Sequence, residues 1–233
     1  MIRNIVVLTG AGISADSGVA TFRGPDGLWE GHRLEDVATP EAFARNPELV
    51  HAFYDARRAR LGEVDPNPAH LALARLDSEW AGELLIVTQN VDDLHERAGA
   101  RRLLHMHGEL KKGWCLACDQ RSNWEGPMGT AATCRSCAQV GQVRPDIVWF
   151  GEMPYEMERI DAALQDADLF VSIGTSGAVY PAAGFVQTAG YRGAETLEIN
   201  LEPSLGSIFF GESRLGRASK LVPEWVDELL SGT

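Results

Sequence analysis

Near the start of the chain, the run Ile5-Val-Val-Leu-Thr-Gly-Ala-Gly-Ile-Ser-Ala15 restricts the possible folds more than any other stretch. Ile5 to Leu8 is continuously apolar and mostly β-branched, as expected for a strand buried on both faces of a parallel sheet. Gly10 and Gly12 permit a tight turn and a close backbone approach, and Ser14 to Ser17 suit a helix start. A strand, a glycine turn and a helix N-terminus in succession can present N–H groups and a positive dipole end to a pyrophosphate. With Ala15 in third place the run fits the dinucleotide fingerprint G-x-G-x-x-G/A. A glycine-rich turn that binds nothing fits it as well.

An ordinary dinucleotide site also needs a second strand ending in Asp or Glu about 20 residues further on, to hold the adenosine ribose. Here that region is Thr21 to Trp29, a loop by its Gly and Pro content. Glu30, Glu35 and Asp36 follow it without any preceding apolar run. A bound dinucleotide would therefore have its ribose held from elsewhere.

All four cysteines fall in one segment, Cys115-x2-Cys118 and Cys134-x2-Cys137, with 15 residues between the pairs. This is the spacing of an all-cysteine zinc ribbon. Four thiolates fill a tetrahedral shell, so a zinc ion held there is structural. The net charge of −12 argues against nucleic acid or an anionic membrane as partner. No run is long and apolar enough to span a bilayer. The chain opens almost directly on a core strand, so no leader peptide is expected, and the cytoplasm is the default compartment.

Apolar strands recur at 84–88, 103–108, 147–150, 169–173 and 196–199, each ending in small or polar residues. Between them, helical spacing marks 40–45, 47–61, 68–80, 155–167 and 180–192, and a last helix begins after Pro223. The alternation predicts an α/β protein with a doubly wound parallel sheet, whose ligands sit at the carboxyl ends of the strands. Asn90 and Asp92 lie at such an end, where capping a helix is the plainer role. His105 and His107 are expected on one strand face, and His107, followed by Gly108, is exposed enough to exchange a proton near neutral pH.

Taken together, Gly10-Ala-Gly-Ile-Ser14, Phe22-Arg-Gly24, Thr88-Gln-Asn-Val-Asp92, His107-Gly108, the four cysteines, Trp149-Phe-Gly-Glu152, Gly174-Thr-Ser176 and Asn200-Leu-Glu202 resemble, in order, the motifs of the sirtuins, NAD-dependent protein-lysine deacylases. The resemblance covers essentially the whole chain. It implies a Rossmann-type large domain (1–30, 81–113 and 141–233), an inserted helical module (31–80) and a zinc module (114–140). NAD and an acyl-lysine peptide would share the cleft between them.

By the same resemblance, Gly10, Ala11, Gly12, Ile13 and Ser14 would hold the pyrophosphate, with Phe22, Arg23 and Trp29 in the cofactor loop. Gln89, Asn90, Val91 and Asp92 would surround the nicotinamide ribose and carboxamide. Gly174, Thr175, Ser176, Asn200, Leu201, Glu202 and Ala218 would form the adenosine end. Phe150, Gly151 and Glu152, with the loop after Gly174, would pair with the substrate backbone by strand addition, and Trp149 would also bind substrate. His107, with Asn90 and Asp92, would be catalytic: the acyl oxygen attacks the ribose as nicotinamide leaves, and His107 then acts as general base. The products would be free lysine, nicotinamide and acyl-ADP-ribose, and a monomer is the expected state. Two other classes stay open: a zinc-containing oxidoreductase, and an NAD sensor or ADP-ribosyl transferase on the same fold.

Tyr54 and Arg57 stand three apart on the predicted helix after Pro47, hence on one face. A packed Tyr54 and a solvated Arg57 would be unremarkable there. The pair nevertheless resembles the Tyr-x-x-Arg signature of sirtuins that prefer succinyl- and malonyl-lysine, and Ala38 matches the small residue that widens their acyl pocket. A dicarboxylic acyl chain ends in a carboxylate that an arginine can grip through two hydrogen bonds.

Overall fold

β1 (Asn4–Thr9) forms the centre of the computed structural model, which describes residues 2–20 and 31–232. On one side it pairs in parallel with β2 (Glu83–Thr88), which carries β3 (Leu103–His105). Three strands follow later in the chain: β4 (Gly108–Cys115), β5 (Arg121–Asn123) and β6 (Val143–Ile147). On its other side β1 pairs with β7 (Leu169–Ile173), then come β8 (Glu195–Asn200) and β9 (Glu212–Leu215). The sheet order is β3-β2-β1-β7-β8-β9, all parallel, so strand order reverses between β1 and β7. Open α/β sheets bind ligands at this reversal.

The helices, in chain order, are α1 (Ala11–Ser14), α2 (Leu34–Val37), α3 (Pro40–Arg45), α4 (Pro47–Arg60), α5 (Pro68–Glu79), α6 (Leu94–Ala98), α7 (Met157–Gln165), α8 (Phe185–Tyr191) and α9 (Ala218–Ser231). Proline at the first position starts α3, α4 and α5, where its missing N–H costs nothing, and Thr39, Asn46 and Asn67 cap the three through their side chains. One face of the sheet is covered by α5 and α9, which bury Leu73, Leu76, Val222 and Trp225 against Ile5, Val7, Ile86 and Val171. Ile160, Leu164, Phe185 and Val186 of α7 and α8 cover the other face. Thus α5, expected from sequence in the helical insertion, packs on the large sheet. α2, α3 and α4 share a separate core with Leu110, Ile147 and Trp149.

β4, β5 and β6 form an antiparallel sheet in the order β5-β4-β6. This corrects one expectation. The strand assigned to 147–150 in the parallel sheet lies instead at 143–147 in the small sheet, and 149–152 is a turn. Its sequence, Val-Arg-Pro-Asp-Ile, hides two buried charges, each paired. Arg144 grips Glu152 at 2.7 and 2.9 Å, and Asp146 accepts from Tyr155 at 2.7 Å and Arg121 at 3.2 Å. Among the described residues, no helix is long and apolar enough to cross a membrane.

Candidate active site

At the reversal point the glycine turn is held from the far strand. Gly10 and Gly12 donate their N–H groups to the carbonyls of Ile173 and Gly174, at 3.0 and 2.9 Å. A Cβ on Gly12 would lie 2.7 Å from the Gly174 Cα, and one on Gly174, whose φ is +63°, only 2.5 Å from the Ile13 nitrogen. The glycines are required by this backbone contact. Their amides are spoken for, unlike the free donors the sequence suggested.

Over this turn runs a cleft of about 1030 Å³. Its lining includes Ser176, Asn200, Leu201, Glu202 and Ala218, and the glycine-turn residues Gly10, Ala11 and Gly12 with Gly174 and Thr175. It also includes Gln89, Asn90, Val91, Asp92 and His107, together with Ala38, Tyr54, Arg57 and the turn Trp149, Phe150, Gly151 and Glu152. Ile13 and Ser14 do not line the cleft; both are fully buried behind it. Phe22, Arg23 and Trp29 lie outside the described residues.

Ser14 has a different place. Its hydroxyl donates to Asp92 Oδ2 at 3.0 Å, accepts from Asn90 Nδ2 at 3.1 Å, and lies 3.4 Å from His70 Nε2. Asn90 Nδ2 also reaches the Gly10 carbonyl at 3.2 Å, tying the polar end of β2 to the turn after β1. Burial raises the Asp92 pKa, against the Leu94 amide and Ser14 hydroxyl that favour its charge. Sequence reasoning missed His70, His95 and Asn67 in this buried layer. The visible signal was Asn67-Pro68, a helix start whose third residue is a histidine able to bond back to the cap.

Two histidines read consecutive carbonyls. His107 Nδ1 lies 3.3 Å from Gln89 O, and His105 Nδ1 lies 3.0 Å from Asn90 O. A carbonyl can only accept, so Nδ1 carries the proton in each ring and Nε2 of a neutral His107 keeps its lone pair. His107 faces the cleft, and burial lowers its pKa to about 4, so the ring is a neutral base at pH 7. His105 turns away: its Nε2 meets Glu96 at 2.7 Å. Burial pulls its pKa down, but Glu96 and Glu109 outweigh that and raise it.

Where α4 borders the cleft, Tyr54 is fully buried and Arg57 is 8% exposed. Tyr54 accepts a hydrogen bond from Trp149 Nε1 at 3.0 Å, and Arg57 lies over the Phe53 ring. Phe150 N–H donates to Ala38 O at 3.0 Å, Glu152 N–H to Trp149 O at 2.9 Å, and Trp149 N–H to the Glu152 carboxylate at 2.8 Å. With these three amides used internally, 149–152 is a turn.

The four cysteines come together at the far end of β4. Cys115 and Cys137 Sγ are 3.7 Å apart, Cys118 and Cys134 Sγ 3.8 Å, and all four sulfurs lie within 4.8 Å of one another. A tetrahedral zinc with Zn–S bonds of about 2.3 Å requires sulfurs about 3.8 Å apart, so the donor set fits. Each pair forms the same knuckle: Asp119 and Ala138, four residues after Cys115 and Cys134, both have φ near +60° and donate to those cysteines' carbonyls. The zinc is structural, with no position left for water.

The description "Sir2 family" matches residues 10–181, and the chain belongs to that family. It is 58% identical over 231 residues to the "NAD-dependent protein deacylase" of Vibrio vulnificus (strain YJ016), covering 98% of this chain and 94% of that one. Among solved structures it resembles a Sir2 homolog–NAD complex, with a TM-score of 0.89 and 38% identity, covering 98% and 90% of the two chains. It also resembles a Sir2 bound to acetylated peptide, with a TM-score of 0.83 and 26% identity, covering 97% and 93%.

Proposed function

We propose that this chain is an NAD-dependent protein-lysine deacylase that removes succinyl and malonyl as well as acetyl groups. The observation that carries the acyl preference is the wall formed by Tyr54, Arg57 and Ala38: a buried phenol and guanidinium on one helix face, beside a methyl-sized side chain. A terminal carboxylate answers that wall, and an acetyl group does not.

The bound dinucleotide would supply the ribose carbon that takes the acyl oxygen as nicotinamide leaves, and one water would then cleave the acyl C–N bond, so that the products are nicotinamide, free lysine and O-acyl-ADP-ribose. Asn90 and Asp92, locked by Ser14, orient the ribose and carboxamide. His107, neutral with its lone pair on Nε2, removes a ribose hydroxyl proton. Such a positioned base is worth on the order of 10² to 10⁴ in rate. Ser176, Asn200, Glu202 and Ala218 hold the adenosine end, in place of the acid that the sequence lacks about 20 residues after the glycine turn. The turn 149–152 lines the peptide entrance. The domain limits follow the sequence reading, except that α5 goes with the large sheet and β4 and β6 with the small one. The enzyme works as a monomer in the cytoplasm; its charge of −12 speaks against nucleic acid and anionic membranes as partners.

The test is a panel of succinyl-, malonyl- and acetyl-lysine peptides, with nicotinamide release measured with and without peptide. NAD consumption should require the acylated peptide. Arg57→Met should cut desuccinylation at least about tenfold and deacetylation far less, since a charge-assisted hydrogen bond contributes roughly 1.5–3 kcal/mol. Equal loss of both activities would assign Arg57 to the fold or the peptide instead.

A further inference from the structure

Trp149 and Arg144 lie behind the acyl wall. An indole N–H can only donate, so in the 3.0 Å contact between Trp149 Nε1 and Tyr54 Oη the phenol is the acceptor. That is the one hydrogen bond Tyr54 makes among the described residues. Its own O–H proton is therefore not spent on Trp149, and Tyr54, though fully buried, is among the residues that line the cleft.

The indole in turn is held by Arg144. The guanidinium carbon of Arg144 lies 3.3 Å from the centroid of the Trp149 ring. Its Nη1 and Nη2 grip the Glu152 carboxylate at 2.7 and 2.9 Å, and Nη2 also donates to Ile147 O at 2.7 Å. Glu152 Oε2 accepts the Trp149 N–H as well, so the backbone and ring of Trp149 are fixed by one ion pair. A cation on the π face draws electron density from the ring and sharpens its N–H as a donor. Arg144 is 3% exposed and sits on β6 one residue from Val143, which pairs with Cys115. The relay therefore begins in the zinc-bearing sheet and ends at the acyl wall.

We infer that Arg144, through Trp149, is a positioning residue that fixes the Tyr54 hydroxyl as a hydrogen-bond donor into the cleft. As a specificity device this rests on the dicarboxylic reading above: a donor there favours an acyl chain ending in a carboxylate over one ending in a methyl. The hydrogen-bond polarity itself stands without that reading.

Two measurements test it on the zinc-loaded protein. The first is the ¹⁵N–¹H resonance of the Trp149 indole, assigned by its loss in Trp149→Phe. It should be protected from solvent exchange and should shift in both Tyr54→Phe and Arg144→Lys. No shift in Tyr54→Phe overturns the proposal, and this arm survives even if Arg144→Lys folds poorly. The second is a double-mutant cycle on the succinyl-to-acetyl ratio of kcat/KM. Arg144→Lys should lower the ratio about fivefold, the scale of one hydrogen bond, and less than about twofold when Tyr54 is already Phe. A drop of the same size in both backgrounds overturns the relay, because a general packing defect does not depend on the phenol oxygen. A wild-type enzyme without succinyl preference, but with an indole that responds to Tyr54→Phe, overturns the acyl reading and supports the relay.

Discussion

Replacing Gly174 by alanine tests the contact on which the cleft is built. The new Cβ would lie 2.5 Å from Ile13 N and 2.6 Å from Gly12 C, both backbone atoms that cannot swing aside, at a φ of +63°. Two costs add: roughly 1–2 kcal/mol for a left-handed alanine and about 1–3 kcal/mol for overpacking. Gly193 offers a control, because its φ is +94° but a Cβ there meets nothing within 4 Å. Gly193→Ala should carry the conformational cost alone, about 1 kcal/mol, or roughly 2–4 °C for a chain of this size. Gly174→Ala should lose about 3 kcal/mol, or roughly 6–12 °C. It should also raise the KM for NAD, because relief of the clash pushes Gly12 and Ala11 away from β7. Thermal unfolding by circular dichroism and NAD titration of nicotinamide release read the two effects. Equal losses of Tm in the two variants would refute the argument that the β1–β7 approach needs a bare Cα.

Other outcomes follow from the same geometry. His107→Ala should abolish deacylation while keeping NAD and peptide binding, whereas His105→Ala, which removes a ring facing Glu96, should retain much of the activity; full turnover in the His107 variant would sink the assignment. Stripping the metal with a strong chelator, or changing Cys115 to Ser, should disorder residues 114–140 and lower Tm, and metal analysis should return one zinc per folded chain. Acid should destabilise the fold early. His70 and His107 are held near a pKa of about 4 by burial, against an ordinary 6.5, so the unfolded chain binds more protons between those values. Stability is intact above pH 6.5 and falls as pH drops toward 4, by up to about 3 kcal/mol for each ring. Denaturant titrations at pH 7 and pH 5 measure this, and a slope unchanged in His70→Gln would show that His70 does not contribute.

How much of this was legible in the sequence depends on whether a residue's environment is written in its neighbours. β1, β2 and β7 are apolar runs because both their faces are buried, and a run is visible locally. The prolines that open α3, α4 and α5 act within their own turn. By contrast, β6 is buried through ion pairs to Glu152 and Arg121, partners that no local pattern reveals, so the sequence reading placed the strand at the apolar run 147–150 instead. β9, Glu212–Leu215, is a largely exposed edge without an apolar run. The cleft residues carried by motifs were found, whereas His70, His95 and Arg144 support them through contacts made only in the folded chain. Ser14 shows the difference most clearly, since its motif is visible in the sequence whereas the bonds of its hydroxyl to Asp92 and Asn90 exist only in the folded chain.

The pairing of β1 with β7 also has a consequence for how the molecule comes into being. β1 and its glycine turn are synthesised well before the strand that clasps the turn, which begins with Leu169 opposite Ile5 and is made only after the helical and zinc-bearing segments. Parallel strands so distant in sequence close slowly, because the intervening loop must surrender its entropy before any contact repays it. A nascent or truncated chain ending before β7 can complete its zinc ribbon while its cofactor turn remains unformed. The capacity to consume dinucleotide therefore arrives last, once the second half of the sheet has docked.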